Sequence, residues 1–412
     1  MNHPRMKYTY VGIDSHKGTH YAVISDCFFD RIKEIEFENV PIAFDSFFKE
    51  LQNFKIKGTE LAFGLEDTSA YGRLLTVFLV GKKQMVKHVN ASLVKKERVN
   101  LQLDKTDSND AECAARVLIS RFNELPEVDP QDKYWVLKQV IARRTSLVKT
   151  NLSLKNHLQV FILNHYPSYN KFFSTIDSKS ALAFYDKYPS PSKLKNTTLK
   201  ELEDFLREVS GNKQWKGRAE KILECVNRDG KTTTEYQDYR DMAVKSGISQ
   251  IRNNIKELES LEAVLEDFLG KFDYKLGSMR GIDTITAAEL IAEIGDISRF
   301  PNAAKLAKYA GIAPITYSSG TTDKQHADFH GNRQLNSLFF RIAVAVTMTA
   351  GKNKKIINPF FYNYFQKKMA EGKTKKQALK CVQRMLVNII WGMMTYKREY
   401  INPPTQDFQK AI

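Results

Sequence analysis

The sequence predicts an α/β domain followed by mainly helical regions. Short β-type runs alternate with helical runs over the first 125 residues, whereas apolar residues recur at helical spacing beyond residue 130. A chain of 412 residues is also long enough for two or three domains. We therefore predict an α/β domain at 1–125, a central helical region at 130–272 with an insertion at 167–240, and a mainly helical C-terminal domain at 273–400.

The first domain is predicted from the order of its segments. Three runs rich in β-branched and aromatic residues, or alternating in polarity, predict three strands paired as a meander, at 7–13, 21–25 and 31–37. The segments that follow predict, in order, a helix at 43–54, a strand at 60–65, a helix at 71–80, a strand at 84–89 and a helix opened by Thr106. The order βββαβαβα is that of an RNase H-like domain, in which a central strand carries a carboxylate beside the end of its neighbour.

Four acidic residues lie at strand ends or in the first turn of a helix in this predicted domain. Asp14 closes the first strand and Glu66 closes the fourth. Thr106 is the predicted N-cap of the last helix, so Asp107 and Asp110 lie three apart in its first turn and face the same way. Taken alone, these two acids are better explained as partners of the positive helix terminus.

The set of four predicts a metal centre. Clustered carboxylates repel one another unless a divalent cation neutralises them, and oxygen ligands suit Mg²⁺ or Mn²⁺. Two such ions would stabilise the attacking and leaving oxygens of a phosphodiester. His16 and His20, which lie near the first acid in the sequence, are interpreted as polar strand-end residues and not as ligands.

The composition predicts a nucleic-acid partner. The net charge is +16 with a pI near 9.4, and residues 311–412 hold 16 Lys/Arg against 5 Asp/Glu. The four cysteines show no paired spacing, which argues against disulfides and structural zinc and fits a reducing cytoplasm. The chain has no leader-like apolar segment and no apolar run near 18 residues, so we expect neither export nor a membrane span.

Two long helices are predicted in the central region, at about 134–165 and 242–268. Their apolar residues approximate helical or heptad spacing, and the pair forms either an antiparallel coiled-coil hairpin that dimerises or two packing helices within one monomer. The segment between them is polar and Lys-rich, with short helices predicted at 199–209 and 217–226. We interpret that segment as a small helical insertion.

The last domain contains a turn that resembles a helix-hairpin-helix. Gly281 and Ile282 precede a helix with Thr286 as its predicted cap, and the amides of such a turn can hold a DNA phosphate. A helix at 303–310 is followed by a predicted loop at 312–320. Near the C-terminus, a predicted helix at 375–394 carries a basic face suited to neutralising phosphates.

Ordered motifs run through nearly the whole chain, from Tyr10 to about Trp391. They are Gly12-Ile13-Asp14-x-x-Lys17, Glu66-x-Thr68-x-x-Tyr71, Lys105-Thr106-Asp107-x-x-Asp110-Ala111, Gly281-Ile282-x-x-x-Thr286-Ala287, Phe300, Tyr309-x-Gly311-x-x-Pro314, Tyr317-x-Ser319-Gly320 and Gly331-Asn332-Arg333-x-Leu335. This set resembles the DEDD transposases of the insertion-sequence-one-ten family, relatives of the Piv invertase that are described as bridge-RNA-guided recombinases.

The resemblance implies an N-terminal RuvC-like domain in which the four acids hold Mg²⁺, with Mn²⁺ as a possible substitute. It implies that Ser319 attacks a DNA phosphate and forms a phosphoserine intermediate, with Ser318 as the alternative nucleophile. It further implies a homodimer or homotetramer that shares its active site between protomers, and a noncoding bridge RNA that reads donor and target DNA. We expect phosphate contacts from cations in or near the motifs and at the start of the C-terminal helix: Lys17, Lys105, Arg280, Arg333, Lys375 and Lys376.

The sequence departs from the family pattern at Asp283, which stands where Gly-Ile-Gly is usual, and in its longer central insertion. Three other functions stay open. A site-specific invertase that works without RNA would use the same catalytic residues. A structure-specific nuclease would use only the four acids, and a nucleic-acid-binding protein on a degenerate scaffold would use none of them.

Overall fold

Two compact units make up the chain, Met1–Trp135 and Val136–Ile412. The structure is a computed structural model, and it describes residues 3–68, 70–128, 130, 132–211, 217–232, 235–313, 315–319, 322–326, 331–351 and 355–402. Across these ranges it is a mixed α/β protein with fifteen α-helices and nine strands. Within the same ranges, none of the helices combines the length and the apolar character needed to cross a bilayer.

A five-stranded mixed sheet forms the centre of the first unit. Its strands are β1 (Tyr8–Ser15), β2 (Thr19–Ser25), β3 (Arg31–Glu38), β4 (Glu60–Leu65) and β5 (Met85–His88), in the spatial order β3-β2-β1-β4-β5. The first three pair antiparallel, and β1, β4 and β5 run parallel. The predicted meander and the two later strands are confirmed, with β1 in the middle.

Helices cover both faces of this sheet. They are α1 (Pro41–Gln52), α2 (Arg73–Gly81), α3 (Ala91–Asn100) and α4 (Asp107–Arg121). The first two bury Phe44, Phe47 and Leu75 against one face, while α4 packs on the other face beside α3. Helix α3 is absent from the predicted order, because its polar sequence buries only Val94 and so shows no apolar period.

The two predicted long helices lie in the second unit, apart from the start of the first helix at 132–135, and they pack against each other within one chain. They are α5 (Asp132–His165) and α10 (Gln237–Leu269). The Asn254 amide Nδ2 donates to the Leu147 carbonyl at 3.1 Å. Further along, the guanidinium of Arg144 contacts Glu262 at 2.6 Å, so the helices run antiparallel. A dimerising coiled coil stays a prediction.

The insertion between these helices shares a hydrophobic core with them. Its helices are α6 (Lys179–Lys187), α7 (Pro191–Leu194), α8 (Leu199–Ser210) and α9 (Arg218–Asp229). Buried aromatic residues, among them Tyr166, Phe172 and Phe184, pack with apolar residues of α5 and α10. The predicted helices at 199–209 and 217–226 are confirmed, whereas the nine-residue α6 was too short to show a period.

The remaining elements form a largely helical region. They are α11 (Thr284–Ile294), α12 (Ala303–Tyr309), β6 (Ile315–Ser319), β7 (Thr322–His326), α13 (Arg333–Thr347), β8 (Thr349–Ala350), β9 (Lys355–Ile356), α14 (Pro359–Ala370) and α15 (Lys375–Thr395). Helix α15 confirms the predicted C-terminal helix and buries Leu379, Leu386 and Ile390.

Two local predictions in this region are wrong. The N-cap of α11 is Asp283 and not Thr286, since the Asp283 carboxylate accepts a hydrogen bond from the Thr286 amide at 2.7 Å. The predicted loop at 312–320 contains strand β6, which pairs antiparallel with β7. Ile315, Thr316 and Tyr317 are residue types that favour such a strand over an irregular loop.

Candidate metal centre

The carboxyl ends of two neighbouring parallel strands bring the first two acids together. Ile13 of β1 is paired with Leu65 of β4, and Asp14 and Glu66 are the residues that follow this pair. Ile13 and Leu65 are buried in the core on the α1 and α2 side. Because successive side chains alternate between faces, Asp14 and Glu66 project from the opposite face, where α4 lies.

Close packing of α4 on β1 brings the other two acids to the same place. A Cβ built on Gly12 would lie 2.2 Å from the Ala111 oxygen and 2.2 Å from the Ala115 nitrogen. Only glycine permits this approach of helix to strand. Gly12 shares a face with Asp14, so the first turn of α4, which begins at Asp107, lies over the carboxyl end of β1.

The start of α4 is fixed by its cap. Thr106 Oγ1 accepts a hydrogen bond from the Asn109 amide at 3.2 Å, which confirms the predicted N-cap. Asp107 and Asp110 both lie in the first turn, as predicted. Their carboxylates therefore lie at the positive terminus of the helix and also close to the ends of β1 and β4.

A histidine ring lies between two of the acids. His16 Nε2 is 3.1 Å from Asp14 Oδ2 and 3.1 Å from Asp107 Oδ1. One ligand atom from each of the three residues lies within 4.8 Å of the other two. The Asp14 side chain is 13% exposed and that of Asp107 is 50% exposed, so one side of the group is open to solvent.

The electrostatics link all four carboxylates. Burial raises the pKa of Asp14 above its usual value; the nearby His16 opposes this rise, and the charges of Asp110 and Asp107 add to it. Burial also raises the pKa of Glu66, followed by repulsion from Asp14 and Asp110. A divalent cation would relieve the repulsion that raises the pKa values of Asp14 and Glu66, and it would accept the carboxylate oxygens as ligands.

Helix α3 supplies a cation to the same group. Arg98 Nη1 lies 3.2 Å from the Asp110 carboxylate, and the two side chains are only 14% and 17% exposed. The same guanidinium lowers the pKa of Glu66, against the larger effects that raise it. Sequence reasoning missed Arg98, because nothing in the polar run around it pointed to the acids.

The two histidines that sequence reasoning treated alike differ in the structure. His16 follows the end of β1 and is next to the acids, with its Nε2 atom 3.1 Å from Asp14 Oδ2. His20 is fully buried, with its ring 5.3 Å from the ring of Phe37 and 6.1 Å from that of Phe44. It is a core side chain, and burial lowers its pKa.

The predicted nucleophile lies in the second unit. Ser319 is the last residue of β6 and pairs with Thr322, while Ser318 pairs with Asp323. The side chains of this hairpin lie outside the described part of the chain, as does Gly320 of the same motif. The roles of Ser319 and Ser318 therefore stay predictions.

The Gly331-Asn332-Arg333 motif starts helix α13. The Asn332 side chain caps this helix and donates to Glu293 Oε2 at 2.9 Å. A Cβ on Gly331 would lie 2.2 Å from the backbone nitrogen of Gly311, a glycine from the preceding motif. The two motifs thus pack against each other, and Arg333 is exposed at the first position of the helix.

All the predicted phosphate-contacting cations are exposed: Lys17, Lys105, Arg280, Arg333, Lys375 and Lys376. Lys17 lies in the turn that follows β1, and Lys105 lies just before the cap of α4. Both are therefore at the same end of the sheet as the four acids. Their contacts with nucleic acid stay predictions.

Comparison with known proteins places the chain in the class of DNA transposases. Residues 11–167 match a DEDD transposase domain of the IS110 type, and residues 273–357 match the domain described as Transposase IS116/IS110/IS902 family. The particular family follows from these two matches and from the relatives below: the chain belongs to the IS116/IS110/IS902 family of transposases.

The relatives come from insertion elements and from a gene-inversion system. The chain is 25% identical over 409 residues to the 44.8 kDa protein of insertion element IS116 of Streptomyces clavuligerus, covering 96% of each chain. It is 27% identical over 298 residues to the 43.6 kDa protein of insertion element IS110 of Streptomyces coelicolor, covering 70% of each. It is also 32% identical over 127 residues to the pilin gene-inverting protein of Moraxella bovis, covering 30% of this chain and 37% of that protein.

Proposed function

We propose that this transposase is a divalent-metal-dependent DNA recombinase that cuts and rejoins the DNA of an insertion sequence through a phosphoserine intermediate. One observation carries the proposal: the ends of β1 and β4 and the first turn of α4 bring Asp14, Glu66, Asp107 and Asp110 within electrostatic reach of one another. Family membership supports DNA as the substrate.

The four acids are the proposed ligands of Mg²⁺, with Mn²⁺ as the alternative. When bound, such an ion stabilises negative charge on the phosphate oxygens and on the attacking and leaving oxygens. The strand positions of Asp14 and Glu66 hold two ligands rigidly, while the capped first turn of α4 holds the other two. Lys17 and Lys105 then position the DNA backbone at this end of the sheet.

The proposed domains are a RuvC-like domain at 1–125, a helical coiled-coil region at 130–272 and a C-terminal transposase domain at 273–400. The strand order β3-β2-β1-β4-β5, with an acid at the end of the central strand, supports the first assignment. The antiparallel pair α5 and α10 supports the second.

Ser319 is the proposed nucleophile. Its Oγ loses a proton and forms a bond to phosphorus, the bond from phosphorus to one bridging oxygen of the DNA strand breaks, and that oxygen takes up a proton and leaves as a free DNA hydroxyl. The phosphoserine conserves the phosphodiester, so a free DNA hydroxyl can later attack the same phosphorus and release the serine. Ser318, its neighbour on β6, is the alternative nucleophile.

We further propose that a noncoding bridge RNA guides the reaction and that the chain works as a homodimer or homotetramer. The motif resemblance and the net charge of +16 support these partners. A second candidate is an RNA-independent invertase, which the similarity to the pilin gene-inverting protein favours. Sequencing of RNA that co-purifies with the protein separates the two, because only the guided reaction requires an enriched transcript from DNA next to the gene.

The test of the chemistry is a covalent adduct. Full-length protein, Mg²⁺, co-purified RNA and plasmids with the joined element ends and the insertion site are incubated, denatured and analysed for protein attached to DNA. We expect an adduct with the native chain, and its loss in Ser319→Ala and in Asp14→Asn. Ser298→Ala, an exposed serine elsewhere in the same unit, is the matched control and should keep the adduct.

The other outcomes identify the rivals. An adduct lost in Ser318→Ala and kept in Ser319→Ala would move the nucleophile by one residue. DNA cleavage without an adduct, unchanged in Ser319→Ala, would identify a metal nuclease. If the native chain binds DNA without cleaving it, and Asp14→Asn and Ser319→Ala bind DNA equally well, the chain would be a non-enzymatic binding protein.

A further inference from the structure

We propose that His16 is a nitrogen ligand of the metal centre and that it makes the centre favour Mn²⁺ over Mg²⁺. This inference rests on the proposed metal-dependent function and goes further, because it adds a fifth residue to the four acids and specifies which ion they hold best. The imidazole lies between Asp14 and Asp107, which come from different elements.

The distances suit one ion held by three side chains. In an octahedral site with metal–ligand distances of about 2.1 Å, ligands at right angles are about 3 Å apart. His16 Nε2 is 3.1 Å from an oxygen of Asp14 and 3.1 Å from an oxygen of Asp107. All three ligand atoms lie within 4.8 Å of one another, so they can occupy one side of a single coordination sphere.

The histidine is held in place by its backbone. The His16 amide donates to the Thr19 carbonyl at 3.0 Å across the turn between β1 and β2. The Asn39 amide Nδ2 donates to the His16 carbonyl at 3.3 Å and to the Tyr71 carbonyl at 2.9 Å. The turn is therefore fixed from two sides, and the ring lies beside the acids without needing a rearrangement of the chain.

The exposure of the group leaves room for other ligands. The side chains of His16 and Asp107 are 46% and 50% exposed, so water or a phosphate oxygen can complete the coordination sphere. The Asp14 side chain is only 13% exposed and forms the closed side of the group. This is the arrangement expected of a site that must bind both an ion and a substrate.

The ligand type determines the preference. Mg²⁺ is bound almost entirely by oxygen, whereas imidazole nitrogen is a better ligand for transition metals. An all-carboxylate centre discriminates little between Mg²⁺ and Mn²⁺ on ligand type. Addition of one imidazole ligand strengthens the binding of Mn²⁺ more than that of Mg²⁺, so removal of the imidazole should affect the two ions unequally.

The experiment measures the metal and not the recombination. Full-length protein is titrated with Mn²⁺, and the free ion is followed by electron paramagnetic resonance; Mg²⁺ affinity is obtained by competition. Pulsed measurements on the bound Mn²⁺ detect coupling to a directly bonded ¹⁴N nucleus. We expect this coupling in the native chain and its loss in His16→Ala, with Mn²⁺ affinity lower by at least about tenfold and Mg²⁺ affinity changed much less.

Two variants keep the test decisive if His16→Ala also disturbs the turn. His16→Asp replaces nitrogen by oxygen, and we expect it to bind both ions without ¹⁴N coupling and with the Mn²⁺ preference reduced. His157→Ala removes an exposed histidine from α5 and should change neither affinity nor coupling.

The failure of this inference differs from the failure of the proposed function. Bound Mn²⁺ without ¹⁴N coupling, at an affinity that His16→Ala leaves unchanged and Asp14→Asn abolishes, would refute the histidine ligand and keep the acidic centre. Mn²⁺ affinity that Asp14→Asn also leaves unchanged would refute the metal centre itself. Coupling that persists in His16→Ala would assign the nitrogen to another residue and overturn the inference.

Discussion

Asp14 is a nearly buried carboxylate, and its position has a cost for folding. Burial raises its pKa, and Asp110 and Asp107 raise it further against the opposing effect of His16. A raised pKa in the folded state means that folding disfavours the ionised form. The cost is therefore fully present at pH values above the folded-state pKa, and it disappears as the pH falls below the unfolded value.

We predict that Asp14→Asn stabilises the metal-free protein. At pH 7 the substitution removes a buried charge that repels its neighbours, so the free energy of unfolding should rise by about 1 kcal/mol. Urea denaturation in the presence of a chelator measures it, and the gain should shrink as the pH falls through the folded-state pKa. A loss of stability at pH 7 would mean that the native carboxylate makes favourable contacts that outweigh its burial.

Some residues of the centre could be predicted from the sequence and others could not. The four acids were found because each occupies a recognisable position, a strand end or a capped helix turn. His16 was interpreted as a polar strand-end residue, and the structure places it just beyond the end of β1 and in contact with Asp14. The role of Arg98 could not be predicted from the sequence, because its contact with Asp110 depends on how α3 packs beside α4.

At the scale of elements, the packing of α4 on β1 determines the geometry of the centre. We predict that Gly12→Ala separates the two, since the new Cβ would overlap the backbone of Ala111 and Ala115 at 2.2 Å. Backbone atoms cannot rotate away, so we expect a loss of about 2 kcal/mol or more in the free energy of unfolding. Because Asp107 and Asp110 move with the helix, Mn²⁺ affinity should fall as well.

Gly18→Ala is the matched control for that substitution. Gly18 lies in the turn between β1 and β2, close in sequence to the centre, and a Cβ there meets nothing within 4 Å. Urea denaturation and Mn²⁺ titration of both variants should separate them clearly. Equal stability of Gly12→Ala and Gly18→Ala would show that α4 is not held as close to the strand as described.

Elements were predictable where an apolar period was strong and hard to predict where it was weak. All five strands of the sheet and the capped helix α4 follow from local patterns. Helix α3 is polar, and the strand-favouring run at 315–317 is short and stands between Pro314 and Gly320 in the sequence, so the local signal for each element is weak. Asp283 illustrates the same limit, since a cap is identified only once the first helical residue is known.

At the scale of the whole molecule, the positive charge is concentrated toward the C-terminus. Residues 311–412 carry 16 Lys/Arg and 5 Asp/Glu. Two of these cations, Lys375 and Lys376, are exposed at the first two positions of α15. The N-terminus of a helix carries partial positive charge, so lysines there are unfavourable for the helix and favourable for binding an anion.

We predict that the double substitution Lys375→Gln and Lys376→Gln weakens DNA binding without weakening the fold. Each phosphate contact on duplex DNA contributes about 0.9 to the slope of log affinity against log salt, so the slope should become less steep by nearly two. Fluorescence anisotropy with duplex DNA over a range of salt concentrations measures it. Thermal unfolding should be unchanged or slightly improved, because two cations leave the positive end of α15.

The matched control is the pair Lys195→Gln and Lys200→Gln, two exposed lysines of the insertion. It removes the same charge from the chain, so it accounts for any general effect of net charge on association. If both pairs reduce the slope equally, DNA binding depends on total charge and the start of α15 has no special role. If only the α15 pair does so, the helix terminus and its two lysines form a phosphate site. The positive charge concentrated in the last hundred residues then contributes to DNA binding at a defined place.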